Sequence, residues 1–308
     1  MSNTSNPMAT QQTTLAHISL IICNIVWAFD YPFYSLVLGK YISPMAMVSA
    51  SLIIAALLSL TPLLWERYER VAPHDRLKII GAALLMGVGR KLCMMFGLAE
   101  TSAIDGSIIG TTTPLMVLLL SVVIGIERFT LRKSLGLLLG MGGTVAIILA
   151  SNSSSHPTSD AWGNILIVIS SVVSATYMVL CKRLVGKYRV TTVLRWIYCT
   201  SAIVMLPLGY YDIKHTDLST MDPTILFAAL FVLIVPTYLP NLLLNISLRR
   251  LAPTASSIYV FLQPVVAIAI SVAMGLDKLR PDTIIFALII FLGLGLVVSA
   301  YSKKRQAS

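Results

Sequence analysis

Apolar residues run along this chain in blocks of about twenty, separated by short breaks of polar residues, glycine or proline. A helix rising 1.5 Å per residue needs about that many residues to cross a hydrocarbon layer of roughly 30 Å. The pattern therefore predicts ten membrane-spanning helices, at 15–38, 44–64, 78–99, 103–125, 133–150, 161–181, 191–211, 223–247, 253–275 and 282–301. Five fall in each half. The links from Ala99 to Ala103 and from Arg249 to Pro253 are too short for anything but tight hairpins, so no soluble domain is accommodated there.

The halves are related. Aligning Ser102 to Leu131 with Ala252 to Pro281, at an offset of 150 and without a gap, matches Ser107 with Ser257, Ile108 with Ile258, Pro114 with Pro264, Ser121 with Ser271, Val122 with Val272 and Gly125 with Gly275. At the same offset the pair Glu127-Arg128 falls on Asp277-Lys278, and Gly143 on Gly293. Internal repeats in an apolar chain are a signature of secondary transporters, whose site lies between the repeats. Five spans per repeat is an odd number, so the second repeat enters the membrane upside down relative to the first. The expected fold is all-α, ten transmembrane helices arranged as two inverted five-helix repeats. Its domains are a tail at 1–14, repeats at 15–150 and 161–301, a Ser-rich external linker at 151–160 and a basic tail at 302–308.

Composition adds the solvent. Residues are 56% hydrophobic and 12% charged, with mean hydropathy +0.84, against about a quarter charged in a soluble domain. Positive loops stay cytoplasmic. With the N-terminus inside, inner segments carry sixteen of the 23 Lys and Arg residues and outer loops four, leaving Arg90, Lys91 and Arg195 within spans. Both termini are thus expected in the cytoplasm, and the protein in a plasma membrane, the inner membrane of a bacterial cell. The formal charge of +10 reflects attraction to the inner leaflet rather than nucleic-acid binding. The stretch Met1 to Thr14 has no base, unlike a signal peptide, so the first span is expected to be retained. Cys23, Cys93, Cys181 and Cys199 lack metal-ligand spacing, and neither a metal nor another cofactor is expected.

Several segments carry a resemblance. A proline midway along the fourth and ninth spans precedes a Gly-x-acid-base turn (Gly125-Ile126-Glu127-Arg128 and Gly275-Leu276-Asp277-Lys278). With Trp27-Ala28-Phe29 and the run Thr254-Ala255-Ser256-Ser257-Ile258-Tyr259-Val260-Phe261-Leu262-Gln263-Pro264, the chain resembles the EamA-type drug/metabolite transporter superfamily over residues 15–301. The resemblance implies ten helices, cytoplasmic termini, a central cavity and carriage of small metabolites. One departure is the start of the second span, where Met45 to Ser51 lacks the usual Arg; its counterpart in the second half, Arg195, is present.

Ionisable groups at membrane depth are costly and mark pathways. Four are expected: Asp30, Arg90, Lys91 and Arg195. Arg90 and Lys91 lie roughly 18 Å along the third span, too deep for easy snorkelling. Adjacent residues diverge by about 100° on a helix, and Arg90, sharing a face with Gly87 and Met94 and given space by Gly87, is preferred as the cavity residue over Lys91. An anchoring ion pair with Asp30 is the alternative. Trp27, Asp30, Tyr31 and Tyr34 gather on one side of the first span. Tyr238, Asn241 and Asn245 on the eighth, Tyr259 and Gln263 on the ninth, and Tyr177 with Ser170 and Ser174 on the sixth add hydrogen-bonding groups; helix-to-helix bonding is the competing reading. Arg195 serves either the solute or the interface. Pro114 and Pro264 are candidate gating hinges, and Thr111-Thr112-Thr113 are expected to satisfy carbonyls that Pro114 loosens. Gly136, Gly140, Gly143 and Gly293 read as packing, between the halves or across a dimer.

One acid with two or three bases suits an anionic or zwitterionic solute, and Asp30 is a candidate carrier of a coupling proton. The expected function is secondary-active transport of a small polar metabolite, amino-acid-like or an organic anion and exported, by alternating access. Efflux of cationic or lipophilic drugs, or lipid flipping, is the alternative. The partners expected are the bilayer, the small-molecule solute and the proton, with the protein a monomer or homodimer. Catalysis is not expected: His17, His74, His156 and His215 are scattered, and no reactive constellation lies within the spans.

Overall fold

A computed structural model describes residues 7–126, 128, 130–151, 160–219, 221–276, 278 and 280–306, with the backbone alone for 7–13, 150, 151, 294 and 297–306. Its regular elements are helical, as hydrocarbon demands of a backbone that cannot hydrogen-bond to water. They are α1 (Pro7–Ala28), α2 (Asp30–Val37), α3 (Pro44–Leu60), α4 (Pro73–Ala82), α5 (Arg90–Glu100), α6 (Ala103–Gly110), α7 (Thr113–Val123) and α8 (Leu131–Ser151) in the first half. The second half holds α9 (Ala161–Leu180), α10 (Lys182–Lys187), α11 (Val190–Lys214), α12 (Pro223–Leu248), α13 (Pro253–Ser257), α14 (Leu262–Ala273) and α15 (Pro281–Gln306). Nine segments among the described residues are long and apolar enough to cross a bilayer, and Pro281–Gly293 is a shorter apolar helix at the position of the tenth.

Five expected spans depart from a continuous α-helix, four of them at prolines, the second only in its final 3-10 turn, Thr61–Leu64, at Pro62. Pro32 has no N–H for the Ala28 carbonyl, and the first span stops at Ala28 and restarts at Asp30. Before Pro114 the fourth span breaks between α6 and α7, and the three threonines donate to the carbonyls three residues back. Thr113 Oγ1 reaches the Gly110 carbonyl at 2.9 Å, the group Pro114 leaves unbonded, while Thr111 and Thr112 reach Ile108 and Ile109 at 2.6 and 2.8 Å. The ninth span passes through a 3-10 turn, Ile258–Phe261, ahead of Pro264. The third contains a π-helical segment, Ala83–Gly89, immediately before Arg90.

The turn ending α7 and the one ending α14 are built alike. Gly125 and Gly275 have φ of +78° and +66°, the left-handed conformation glycine adopts without a side-chain clash. Ile126 N–H donates to Ser121 O at 2.8 Å and Leu276 N–H to Ser271 O at 2.9 Å, so each helix closes with the same cap. Glu127 and Asp277, the acids of these turns, lie outside the described residues. So does the linker from 152 to 159, and so do 1–6 and 307–308 at the tails.

Helix packing respects the repeat. α3 lies on α11 and α8 on α15; α1 lies on α12 and α5 on α9; α7 lies on α9 and α14 on α1. Exchanging the halves maps each of these pairs onto itself or onto another in the set. The small-residue face works within this chain: a Cβ on Gly293 would fall 2.5 Å from Gly136 O and 2.6 Å from Gly140 N, and one on Gly143 2.7 Å from Ile290. Large apolar side chains such as Leu138, Ile203, Phe227 and Leu292 face outward, as lipid contact requires. Loops gather at two ends. At one, Ser43 Oγ donates to Asp212 (2.8 Å), Asp160 N–H to Glu100 O (2.8 Å) and Arg280 to Asp105 (3.1 Å). At the other, Asp75 meets Lys187 and Tyr188, and Thr191 meets Glu66.

Candidate functional site

Two small cavities lie side by side in the core. The first, about 60 Å³, is lined by Asn24, Trp27, Tyr31, Arg90, Ser174 and Gln263 among others. The second, about 30 Å³, has Asp30, Tyr34, Lys91, Tyr198 and Asn241 on its walls. Trp27, Arg90 and Met94 belong to both. They form the partition.

Arg90 is the centre of that partition. Its guanidinium carbon lies 5.4 Å from the centroid of the Trp27 ring, an attraction strengthened where water is scarce, and Nη1 lies 3.7 Å from Met94 Sδ. Its backbone carbonyl accepts from Ser170 Oγ at 3.2 Å. A π segment, Ala83–Gly89, lies just before it. The Ala83 carbonyl, at the start of that segment, lies 3.1 Å from Ser201 Oγ, whose single proton is shared with the Ile197 carbonyl of its own helix at 2.8 Å. A Cβ on Gly87 would fall 1.9 Å from that same Ser201 Oγ. Gly87 lines the second cavity with Arg90 and Met94, as its shared face implies, but the volume its missing side chain would take is filled by Ser201 of α11.

Asp30 opens α2 and is 6% exposed, at a helix N-terminus where the dipole favours a negative group. Its Oδ1 is buried without a hydrogen-bond partner among the described residues. Lys91 and Arg90 stand on the wall of the same cavity. Lys91 lines the second cavity alone, while Arg90 reaches both.

A hydrogen-bonded triad ties the halves beside the first cavity. Gln263 Nε2 donates to Asn24 Oδ1 at 2.8 Å, and Gln263 Oε1 accepts from the Tyr31 hydroxyl at 3.1 Å. Tyr31 lies over Gly110, where a Cβ would come within 2.5 Å of its hydroxyl oxygen. Beside the second cavity Tyr34 donates to Val232 O at 3.4 Å and Tyr198 to Thr237 O at 2.9 Å. Asn241 Nδ2 donates to Thr237 O at 3.1 Å.

The remaining expected residues stand elsewhere. Tyr177 donates to Asn245 Oδ1 at 2.7 Å, and Asn245 Nδ2 to Asn241 O at 2.7 Å, a helix-to-helix bond one step from the cavities. Arg195 is buried, with its guanidinium 5.3 Å from the Tyr68 ring, and Tyr238 pairs with Tyr198 at 6.0 Å between centroids. Tyr259 meets His17 Nδ1 at 2.6 Å. Pro114 and Pro264 are both buried.

Three groups escaped the sequence reading. Asn24 shares a helix face with Trp27 and Tyr31, at spacings of three and seven, so its signal was available. Tyr198 gave none. Asp105 corrects the inventory of four charges within the spans: it is 0% exposed, pairs with Arg280 at 3.1 Å and lies 3.5 Å from Thr283 Oγ1. Its partner is remote in sequence. No cluster of three or more His, Cys, Asp or Glu suited to a metal occurs among the described residues.

A family described as the EamA-like transporter family matches residues 14–149 and again 161–299. An uncharacterized transporter of Archaeoglobus fulgidus is 23% identical over 249 residues, covering 80% of this chain and 85% of its own length. The uncharacterized transporter YyaM of Bacillus subtilis is 24% identical, covering 69% of this chain and 71% of its own. One solved crystal structure of a protein, 15% identical, aligns with a TM-score of 0.63 over 94% of this chain and 97% of that one. That likeness concerns the fold alone.

Proposed function

This chain belongs to the EamA-like transporter family and is a multi-pass membrane transporter; from that premise we propose that it carries a small amino-acid-like zwitterion or organic anion by alternating access. Arg90 carries this reading. It is a base at membrane depth, shared by two cavities and stacked on Trp27. With Lys91 it outnumbers the single acid Asp30 on the second cavity, so an anionic group is attracted and a cation repelled. At an effective dielectric constant near 20, a unit pair 4 Å apart is worth about 4 kcal/mol, enough to choose the sign of the solute.

The proposed architecture is two inverted five-helix repeats, 15–150 and 161–301, joined by an external linker at 151–160. Both termini lie in the cytoplasm and the protein in a plasma membrane. The exchange-symmetric packing and the matched caps at Gly125 and Gly275 support that arrangement. The cavities, about 60 and 30 Å³, hold a few waters rather than a metabolite, so loading requires a helix to move. The interrupted helices around Pro114 and Pro264 are the proposed hinges, Asp30 the proposed proton carrier, and export the proposed direction.

The test is counterflow in proteoliposomes loaded in turn with amino acids, dicarboxylates and lipophilic cations. Accumulation of the first or second class, lost on Arg90→Gln, is the expected outcome. Movement of lipophilic cations alone would replace this reading with drug efflux.

A further inference from the structure

A larger cleft lies away from the two central cavities, at the end where Asp75 meets Lys187. It encloses about 580 Å³ between α4 and the junction of α9 with α10. Its walls divide by chemistry. Lys78, Arg183 and Lys187 stand at the mouth, all exposed. Gly81, Leu85 and Leu180 stand deeper, with Leu85 roughly 10 Å along the helix from Lys78. The cleft is therefore cationic at its rim and apolar below, on the outer surface of a membrane protein.

The charge is only partly compensated. Asp75 is 3% exposed; one of its oxygens takes Lys187 at 2.5 Å and the Tyr188 hydroxyl at 2.7 Å, and the other takes Lys78 at 3.3 Å. One acid against three bases leaves a net positive rim. Gly81 faces open space, with nothing within 4 Å of where its Cβ would be, so the deeper wall is unfilled. Leu180 is 53% exposed beside it.

We infer that this cleft binds an anionic phospholipid, its phosphate held by Arg183, Lys78 and Lys187 and its glycerol and upper acyl chain resting on Gly81, Leu85 and Leu180. Charge complementarity selects the occupant: a soluble anion would satisfy the rim but leave the apolar wall wet, and a neutral lipid would leave the net positive charge of the rim uncompensated. The size is that of a ligand pocket, and basic pockets between membrane helices bind such headgroups. The lipid would abut the π segment, since Leu85 lies within Ala83–Gly89, five residues before Arg90.

The experiment uses the full chain purified in detergent, with native mass spectrometry of lipid retained from equimolar phosphatidylglycerol and phosphatidylcholine. Preferential retention of phosphatidylglycerol is expected. Arg183→Gln should lower it about five-fold, the equivalent of roughly 1 kcal/mol for one base. Gly81→Leu, which fills the open wall, should lower it without changing rim charge. Melting temperature in phosphatidylcholine should stay unchanged for both variants. Equal retention of the two lipids, or retention indifferent to both substitutions, would overturn the inference. So would full competition by millimolar inorganic phosphate, which would assign the rim to a soluble anion. Because the readout is lipid retention and not transport, its failure is distinguishable from failure of the proposed solute specificity.

Discussion

At the scale of single residues, the question is whether Arg90 acts on the solute or on Asp30. Its stacking on Trp27 and its place on both cavities favour the solute. Arg90→Gln should abolish saturable transport, while Arg90→Lys should keep a fraction, since lysine retains the charge and loses the planar fork. Were Arg90 only a counter-charge, Arg90→Gln combined with Asp30→Asn would restore transport fully, and that result would remove Arg90 from the solute site. A second residue-scale prediction concerns Asp105 and Arg280. Removing one partner of a buried ion pair typically costs 3–5 kcal/mol, less where, as with Thr283 Oγ1 at 3.5 Å from Asp105, other groups still face the remaining charge. Arg280→Gln should therefore lower the melting temperature in detergent markedly, and adding Asp105→Asn should recover part of the loss; equal melting of wild type and single variant would show the pair to be dispensable. Legibility at this scale was uneven. Arg90, Asp30 and Gln263 were marked by their chemistry in apolar runs, and Asn24 could have been. Asp105 could not be assigned a partner, because no local spacing links it to Arg280.

At the scale of elements, sequence periodicity located the spans and prolines announced most of their breaks. The loosened carbonyl before Pro114 finds Thr113, as the threonine run implied. The π segment had no such marker. It packs against Ser201 of α11, which lies beside the Ala83 carbonyl and fits against Gly87, a tertiary contact that helical periodicity does not contain. The ninth span passes through a 3-10 turn before Pro264, and the fourth carries i→i−3 bonds at the equivalent place, Thr111 N–H to Ile108 O and Thr112 N–H to Ile109 O, so both spans hold a less regular turn ahead of the proline. Pro264→Ala offers a missing N–H to the Val260 carbonyl and should straighten this region. Turnover is expected to fall by several-fold while membrane abundance, measured by immunoblot, stays near wild type. Transport unchanged in both Pro264→Ala and Pro114→Ala would leave the prolines a packing role only.

At the scale of the whole molecule, the repeat makes a claim that neither residues nor elements test alone. Arg128 and Lys278 are equivalent under the offset of 150, both exposed, and each follows a glycine cap of the same geometry. In a parallel duplication they would face the same compartment. In the proposed arrangement of five spans per half they face opposite ones, with Arg128 inside by the bias of basic residues. On a background lacking Cys23, Cys93, Cys181 and Cys199, Arg128→Cys should react with an impermeant thiol reagent only after the membrane is opened. Lys278→Cys should react on intact cells. The two substitutions swap one exposed base for a thiol at matched positions, so a difference in labelling reports compartment and not local packing. Labelling of both from the same side would require an even number of crossings between them, and the alternating-access proposal would lose the inverted symmetry that lets one half exchange roles with the other.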